Sequence, residues 1–404
     1  MIQPGFPVGP IPMGEATGEI LDGAVSGPMV GESGGFGTGV GRLTGGANFW
    51  FGVEYLMYFI KESPVPIPLV TSGITTNPIS GAVGQTGTQT LIGNNAYNDN
   101  PYSGIRFRAG VDFAGTGFGI EGSGFMLNQQ DTTLHYPTAT VAPSILGVPF
   151  ASVTQQSEAV ALLRFPDTVS GTSDFRLRTN FSAWELNLGY SCHWALVDWA
   201  YVGYKQLNLT EGLFLNNTFR TLQPDVGTYL GGLLPEGSVG QITDSFRTRN
   251  DFYGGQFGAV KRLIYRHYAL EARTAIGFGN TRQRIAIDGQ SSLNGGPAVS
   301  GGLFAQPSNI GTEVRNQFSV VPEVGLTLYA QVFRNTVAFV GYNFLYWNNV
   351  VRPGYEIDRT INLQQTPFGP PYNSSAQPLQ PSVLEKRSTE VILHGLNAGL
   401  AIQF

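Results

Sequence analysis

Charged residues fill only 13% of the 404 positions, while glycine takes 54 and aromatic residues 12%, so the chain is rich in rings and turns and poor in solvating charge. That balance excludes a disordered protein, and a formal charge of −5 argues against a nucleic-acid binder. The single cysteine, Cys192, excludes an internal disulfide framework and a cysteine-based zinc site. The best helical membrane candidate, Phe49 to Ile60, is too short and carries Glu54.

Residues 1–47 come first and are a separate material. Pro4, Pro7, Pro10 and Pro12 precede a glycine-dense run to Gly46, with no periodicity, which predicts a flexible or polyproline-like tether. No charged-then-apolar export segment heads it, so a secretory leader is expected to have been removed. From residue 48 onward, apolar and polar residues alternate with period two, the mark of strands with two different faces. Ile105, Phe107, Ala109, Val111 and Phe113 share one face, with Arg106, Arg108, Gly110 and Asp112 on the other. Tyr268, Leu270, Ala272, Ile276 and Phe278 repeat the pattern opposite Glu271, Arg273 and Gly277, and Leu396, Ala398, Leu400, Ile402 and Phe404 end the chain on one face.

Such segments predict ten strands, near 48–60, 103–114, 117–127, 175–190, 194–209, 247–262, 267–281, 314–331, 336–350 and 387–404. Short connections at Gly115, around Cys192, at Leu263 to Arg266 and at Phe333 to Asn335 alternate with long ones near 61–102, 128–174, 210–246, 282–313 and 351–386. Loops of that length are uncommon in compact soluble domains. Alternating with tight turns, they predict an all-β, closed antiparallel up-and-down transmembrane barrel with long loops at one end. Closure follows from the solvent, since hydrocarbon offers no partner for an unpaired backbone group. The count rises to twelve if part of 141–165 or 225–245 adds a hairpin. Phe49, Tyr55, Trp194, Tyr329 and Tyr346 are the expected interfacial rings. The competing architecture is a soluble β-sandwich with its charged face in water.

Three stretches stand out: Gly341-Tyr-Asn-Phe-Leu-Tyr-Trp-Asn-Asn-Val-Val-Arg-Pro-Gly354 with Ile357-Asp358-Arg359, then Phe49 to Tyr58 with the Pro64 to Val70 exit, and Asn250 to Gly258. Together they resemble the beta-barrel porin 7 family of planctomycete-type bacteria. The resemblance covers residues 48–404 and implies a bacterial outer-membrane barrel, without supplying a substrate. The ending Asn397-x-Gly399-x-x-Ile402-x-Phe404 also resembles the signal that the barrel-assembly machinery recognises by pairing with an exposed strand edge. Both termini are then expected to be periplasmic.

Placing the apolar face toward lipid sends Glu54, Arg106, Arg108, Asp112, Glu121, Glu185, Lys205, Glu271, Arg273 and Glu323 inward, a mixed-sign set that suits a self-neutralising network. Basic residues at the long-loop ends of strands (Arg106 and Arg108 again, then Arg176, Arg178, Arg247, Arg249, Arg315, Lys386 and Arg387) predict a positive rim that meets outer-membrane lipid. His135 with Asp131 is the one histidine–acid pair in a long loop; His193 and His267 fall at short turns and His394 on the lipid side. No serine-hydrolase elbow, metal-ligand histidine pair or nucleotide-binding glycine register occurs. The expectation is therefore no catalytic residue, cofactor or metal. The function expected is porin-like or structural, passing small solutes at most. The alternative is a closed barrel whose long loops bind surface partners or a second copy.

Overall fold

The computed structural model describes residues 46–77, 79–136, 144–381 and 387–404. Ten antiparallel strands form a closed ring: β1 (Ala47–Ile60), β2 (Tyr102–Phe113), β3 (Phe118–Leu127), β4 (Val169–Trp194), β5 (Val197–Thr221), β6 (Val239–Tyr265), β7 (Tyr268–Leu293), β8 (Gly311–Phe333), β9 (Thr336–Val350) and β10 (Thr389–Gln403). Neighbours in sequence are neighbours in the ring, and β10 zips onto β1 from Trp50↔Gln403 to Ile60↔Leu393. First and last strands thus satisfy each other's backbone groups, as hydrocarbon demands. No helix among the described residues is long and apolar enough to cross a membrane.

The tight turns gather at one end. The β6–β7 turn is Arg266–His267, with Arg266 at φ 53°, and Gly115 and Gly117 take φ 77° and 74° between β2 and β3. Cys192 lies within β4, and the turn follows at Ala195–Leu196. The outward face between the two ends is apolar and exposed, with Phe51, Phe107, Ile120, Leu188, Phe257, Leu326, Val340 and Leu400 among its residues. Phe49, Tyr55 and Trp194 lie on it, and Tyr346 occupies an outward position on β9. Tyr329 does not. It is 3% exposed, points inward and donates its hydroxyl to Glu271 Oε1 at 3.3 Å, because odd-numbered β8 residues from Ser319 to Tyr329 face the interior.

The main departure from the sequence reading is strand length. β4, β5, β6 and β7 run 26, 25, 27 and 26 residues, whereas crossing a bilayer needs about 9–11. Much of 210–246 and the opening of 282–313 are therefore strand rather than loop, and β4 begins at Val169. The upper halves of β4–β7 and of β8 stand above the apolar band as a curved wall, which Gln130–Tyr136 extends along the free edge of β4.

The long connections also hold structure of their own. Ser63–Ile74, Gln89–Tyr97, Ser144–Ser152, Ser157–Arg164 and Thr360–Ile361 form a second sheet, the cap. It packs on the inner face of the wall: Val65, Leu69, Ile92, Val148, Phe150 and Ile361 bury against Phe175 and Leu177 of β4, Leu213 and Leu215 of β5, and Ile242 and Phe246 of β6. The hairpin expected within 141–165 exists, but it belongs to the cap. In 225–245 only Thr228–Tyr229 and Gly232–Leu233 pair, before β6 begins. The ring thus has ten strands, and the whole-chain sandwich is replaced by a closed barrel. The expected tether, 1–47, lies outside the described residues up to 45.

The barrel interior as candidate functional site

Period-two alternation puts the charged faces of all ten strands toward one narrow space, and their lengths let oppositely charged groups meet. Glu54, 0% exposed, accepts from Arg106 Nη1 at 3.3 Å and Asn397 Nδ2 at 2.9 Å, and forms an ion pair with Arg108 Nε at 2.7 Å. Asn343 in turn donates to Asn397 Oδ1 at 2.8 Å, which carries the network onto β9. Arg106 also donates to the Tyr58 hydroxyl at 2.7 Å. Across the barrel, Lys205 pairs with both Glu185 and Glu323, and Arg273 bridges Glu121 at 2.7 Å and Glu185 at 3.4 Å. Glu271 is held by Arg262 at 2.6 Å. Asp112 shares the interior parity of β2 with Arg106 and Arg108 but contributes no ion pair to this network.

Five cations thus face six acids, and charges buried in this low-dielectric space persist because each cation has a carboxylate partner. The cavity among Arg106, Arg108, Glu185, Lys205, Arg273 and Glu323 measures about 20 Å³, room for roughly one water.

A dry layer lies directly above. Leu56, Tyr58, Ile60, Phe181, Leu207, Leu209, Phe252, Leu345, Trp347 and Leu393 fill the barrel from wall to wall. Phe181 and Phe252 meet Trp347 edge-on, with ring centroids 6.3 Å apart in both pairs. The indole N–H donates to Thr281 Oγ1 at 2.9 Å, which removes its cost of burial. Above this plug Arg352 grips Glu211 by one hydrogen bond from Nη2, 2.9 Å, and an ion-pair contact of Nε, 2.5 Å, with side chains 1% and 0% exposed. Thr179 and the Lys61 carbonyl complete that contact.

A family model described as Putative beta barrel porin-7 (BBP7) matches residues 50–404. The chain belongs to this family. Among curated proteins nothing matches. Among solved structures the chain is similar to the outer membrane protease OmpT from Escherichia coli, at 9% identity over 88% of this chain and 97% of that one, with a TM-score of 0.35. It is also similar to OmpT, an outer membrane protein of Vibrio cholerae (8%, 89% and 97%, TM-score 0.18), and to an anion-selective porin from Comamonas acidovorans (8%, 89% and 99%, TM-score 0.13). These likenesses are too remote to bear on activity. Family and closed ring together make the porin-7 chain an outer-membrane β-barrel protein.

The stretch that resembled porin-7 most closely, Gly341 to Arg359, is the joint between barrel and cap. Trp347 and Val350 belong to the apolar plug. Asn348 and Asn349 bond the main chain of β8 at Val320 and Phe318. Val351 exchanges two bonds with Asn250, at 2.8 and 2.9 Å, and Arg352 holds Glu211. Gly354 then passes so close to Ser63–Ile74 that a Cβ would stand 2.1 Å from the Pro64 carbonyl oxygen. Arg359 finally ties Glu158 and the Pro149 carbonyl of the cap.

The rim differs from its sequence reading. Arg106 and Arg108 belong to the interior, and Arg315 also faces inward, bonded to Gln283 and Ser388. Arg176 and Arg178 face outward but are engaged by Asp131, at 2.5 and 3.2 Å. Arg247 and Arg249 face outward, Arg387 is exposed before β10, and Lys386 lies outside the described residues. Because Asp131 serves those arginines, His135 pairs instead with Asp174, at 2.5 Å, on the exposed outer surface. His394 sits on the outer face between Phe59 and Tyr342, while the side chain of His193 lies outside the described residues.

Three charged positions escaped the sequence reading. Arg262 enters the ionic network from near the short-turn end of β6, where the apolar alternation had ended. Arg282 and Arg284 lie on β7 beyond its expected end at 281. Their signal was present, since each continues the even-numbered outward positions that include Phe278.

Proposed function

We propose that this porin-7 protein is a sealed outer-membrane anchor presenting a rigid two-sheet domain at the cell surface, rather than a diffusion pore. The observation supporting this reading is the filled interior: an ionic layer with space for about one water, then a dry plug, then the buried Arg352–Glu211 pair. Ten strands stand only slightly above the eight-stranded barrels whose interiors side chains just fill. The test is conductance of the full chain refolded into planar bilayers. No steady single-channel current is expected. Regular, reproducible ion-conducting events would restore the small-solute porin reading instead.

In this reading the cap and wall face outward, and both termini are periplasmic. Clustering of the tight turns at one end supports that orientation, and protease treatment of intact cells should cleave between strands of the long-loop end and spare Arg266–His267. The last strand is the recognition element for the barrel-assembly machinery, with Ile402 and Phe404 on the lipid side and Asn397 and Gly399 inward. Replacing Phe404 with alanine should lower the yield of heat-modifiable barrel in cells; unchanged yield would remove that role. Partners or a second copy would meet the cap. A catalytic role has little support, because the His135–Asp174 pair is solvent-exposed and the acids of the interior are engaged in the packed network.

A further inference from the structure

The outward face of the tall strands changes character within two residues. On β6 it passes from Phe257 and Tyr253 to Asp251, Arg249 and Arg247, and on β7 from Ile276 and Phe278 through Asn280 to Arg282 and Arg284. The register brings these into one patch: Asp251 lies opposite Arg282, Arg249 opposite Arg284, and Arg247 diagonally beside Arg284. Four guanidiniums therefore share this face with Asp251, and Asp288 stands diagonally from Arg247 at its upper edge. Asp251 is already committed to Arg249, at 2.9 and 3.1 Å, and to Asn208 at 2.6 Å. Among the described residues no carboxylate lies within ion-pair distance of Arg247, Arg282 or Arg284. Like charges directly opposite on neighbouring strands repel, so the patch is incomplete without an anion.

Its height and its flanks say which anion. The arginines begin where the apolar band stops, at the depth of lipid headgroups. Below them Tyr253, Phe257, Phe278 and Phe318 form an exposed aromatic surface, with Phe257 and Phe278 stacked at 5.8 Å. Across the barrel the outward residues at the same end hold no comparable arginine cluster, since Lys61 pairs with Glu390 beside Ile392, His394, Tyr346 and Asn348. We infer that the outward faces of β6 and β7 hold a phosphate-bearing membrane lipid in the leaflet at the long-loop end. Arg247, Arg282 and Arg284 clamp its headgroup phosphate and the aromatic surface takes its acyl chains. Guanidinium suits the role because its fork meets two phosphate oxygens at once.

The test uses the full chain in vesicles of phosphatidylcholine alone, in the same vesicles doped with diphosphoryl lipid A, and in plain vesicles with inorganic phosphate added. Lipid retained after detergent extraction is counted by native mass spectrometry, and thermal unfolding is followed in parallel. Wild type should keep lipid A and unfold at higher temperature only in the doped vesicles. Arg282→Gln with Arg284→Gln should weaken retention by about tenfold or more for each guanidinium lost, and Arg284→Lys should fall between. Arg176→Gln with Arg178→Gln, which removes arginines already engaged by Asp131, should retain lipid like wild type. Unaltered heat-modifiable migration verifies that each variant folds, and Arg247→Gln serves as a milder substitute for any that does not. Equal retention by wild type and the double glutamine variant would overturn the inference. So would equal stabilisation by inorganic phosphate over plain vesicles, since the patch would then be an anion site without lipid specificity.

Discussion

The lower and upper halves of β4 through β7 are one set of strands in two solvents, and they use opposite rules. In the lower half the outward positions are Trp184, Leu186, Leu188 and Tyr190 on β4, while Glu185 and Asn187 point inward. Ten residues higher on the same strand, Arg176 and Arg178 point outward and Phe175 and Leu177 inward. β6 and β7 repeat the exchange, with Gln256 inward below and Phe246 above, and with Glu271 inward below and Ile285 above. The pleat never slips; only what lies outside it changes. Where lipid covers the outer face, polar groups must be satisfied inside, and where water covers it the interior becomes an ordinary apolar core. A β-barrel and half of a two-sheet sandwich thus share the same strands.

The sharpest way to break that comparison is at the junction of the two halves. Arg352→Ala leaves the Glu211 carboxylate buried without its cation, and losing one partner of such a pair costs roughly 3–5 kcal/mol. Urea unfolding in vesicles should show that loss, whereas Arg352→Met with Glu211→Leu should recover most of it, because an apolar replacement of both partners leaves nothing unpaired. A double variant as unstable as the single one would show that the pair is needed for its geometry rather than for mutual neutralisation.

The next effect separates the halves directly. Leu188→Arg puts a guanidinium against the hydrocarbon and should cost about 2–4 kcal/mol. Asn180→Arg, on the same face of the same strand but above the band, should cost little. The measurement is again unfolding in vesicles, and equal costs at the two positions would mean that the lipid boundary lies elsewhere.

The exchange of rules also explains which parts of the fold could be read from the amino acids. Strands β1, β2, β3, β9 and β10 keep one polarity almost throughout, and their expected limits agree with the structure to within about two residues. β7 was expected to stop at 281 because beyond Phe278 its outward residues become Asn280, Arg282 and Arg284, which breaks an alternation defined by apolar residues on one fixed face. The ionic layer was legible because its members lie in the half where charge is rare. Their pairings were not, since Lys205–Glu323 and Arg273–Glu121 join strands distant in sequence. Nor could the role of the Tyr346 to Arg359 run be derived from spacing. Its residues touch β6, β8 and the cap together, and only the closed ring brings those three to one place.

A smaller effect tests that joint without altering charge. Gly354→Ala would put a methyl group 2.1 Å from the Pro64 carbonyl oxygen, so main chain must move. Overpacking of that kind costs typically 1–3 kcal/mol. The loss should appear in the cap first, as faster hydrogen exchange over Ser63–Ile74 than over β9 and β10. Uniform acceleration in both regions would instead make barrel and cap a single cooperative unit.

The finest distinction between the halves is a proton. Asp244 lies on β6 well above the apolar band, fully buried beneath the cap, where it accepts the main-chain N–H groups of Leu303, Phe304 and Ala305. Burial outweighs those three bonds and pushes its carboxyl up to about 6 from an ordinary value of 3.8. The folded cap therefore holds a proton that the unfolded chain releases between those limits, so stability falls as pH rises through this window and is fully gained only below it. Glu356, pushed up to about 7 by burial, acts in the same direction. Acidifying from about pH 7.5 to about pH 6 should stabilise the cap, and the share removed by Asp244→Asn should be about 0.4 kcal/mol. The inward faces of β9 and β10 hold no carboxylate, so hydrogen exchange there should hold steady over the same range. A cap that loosens on acidification would mean that the three N–H groups, and not desolvation, govern this carboxylate.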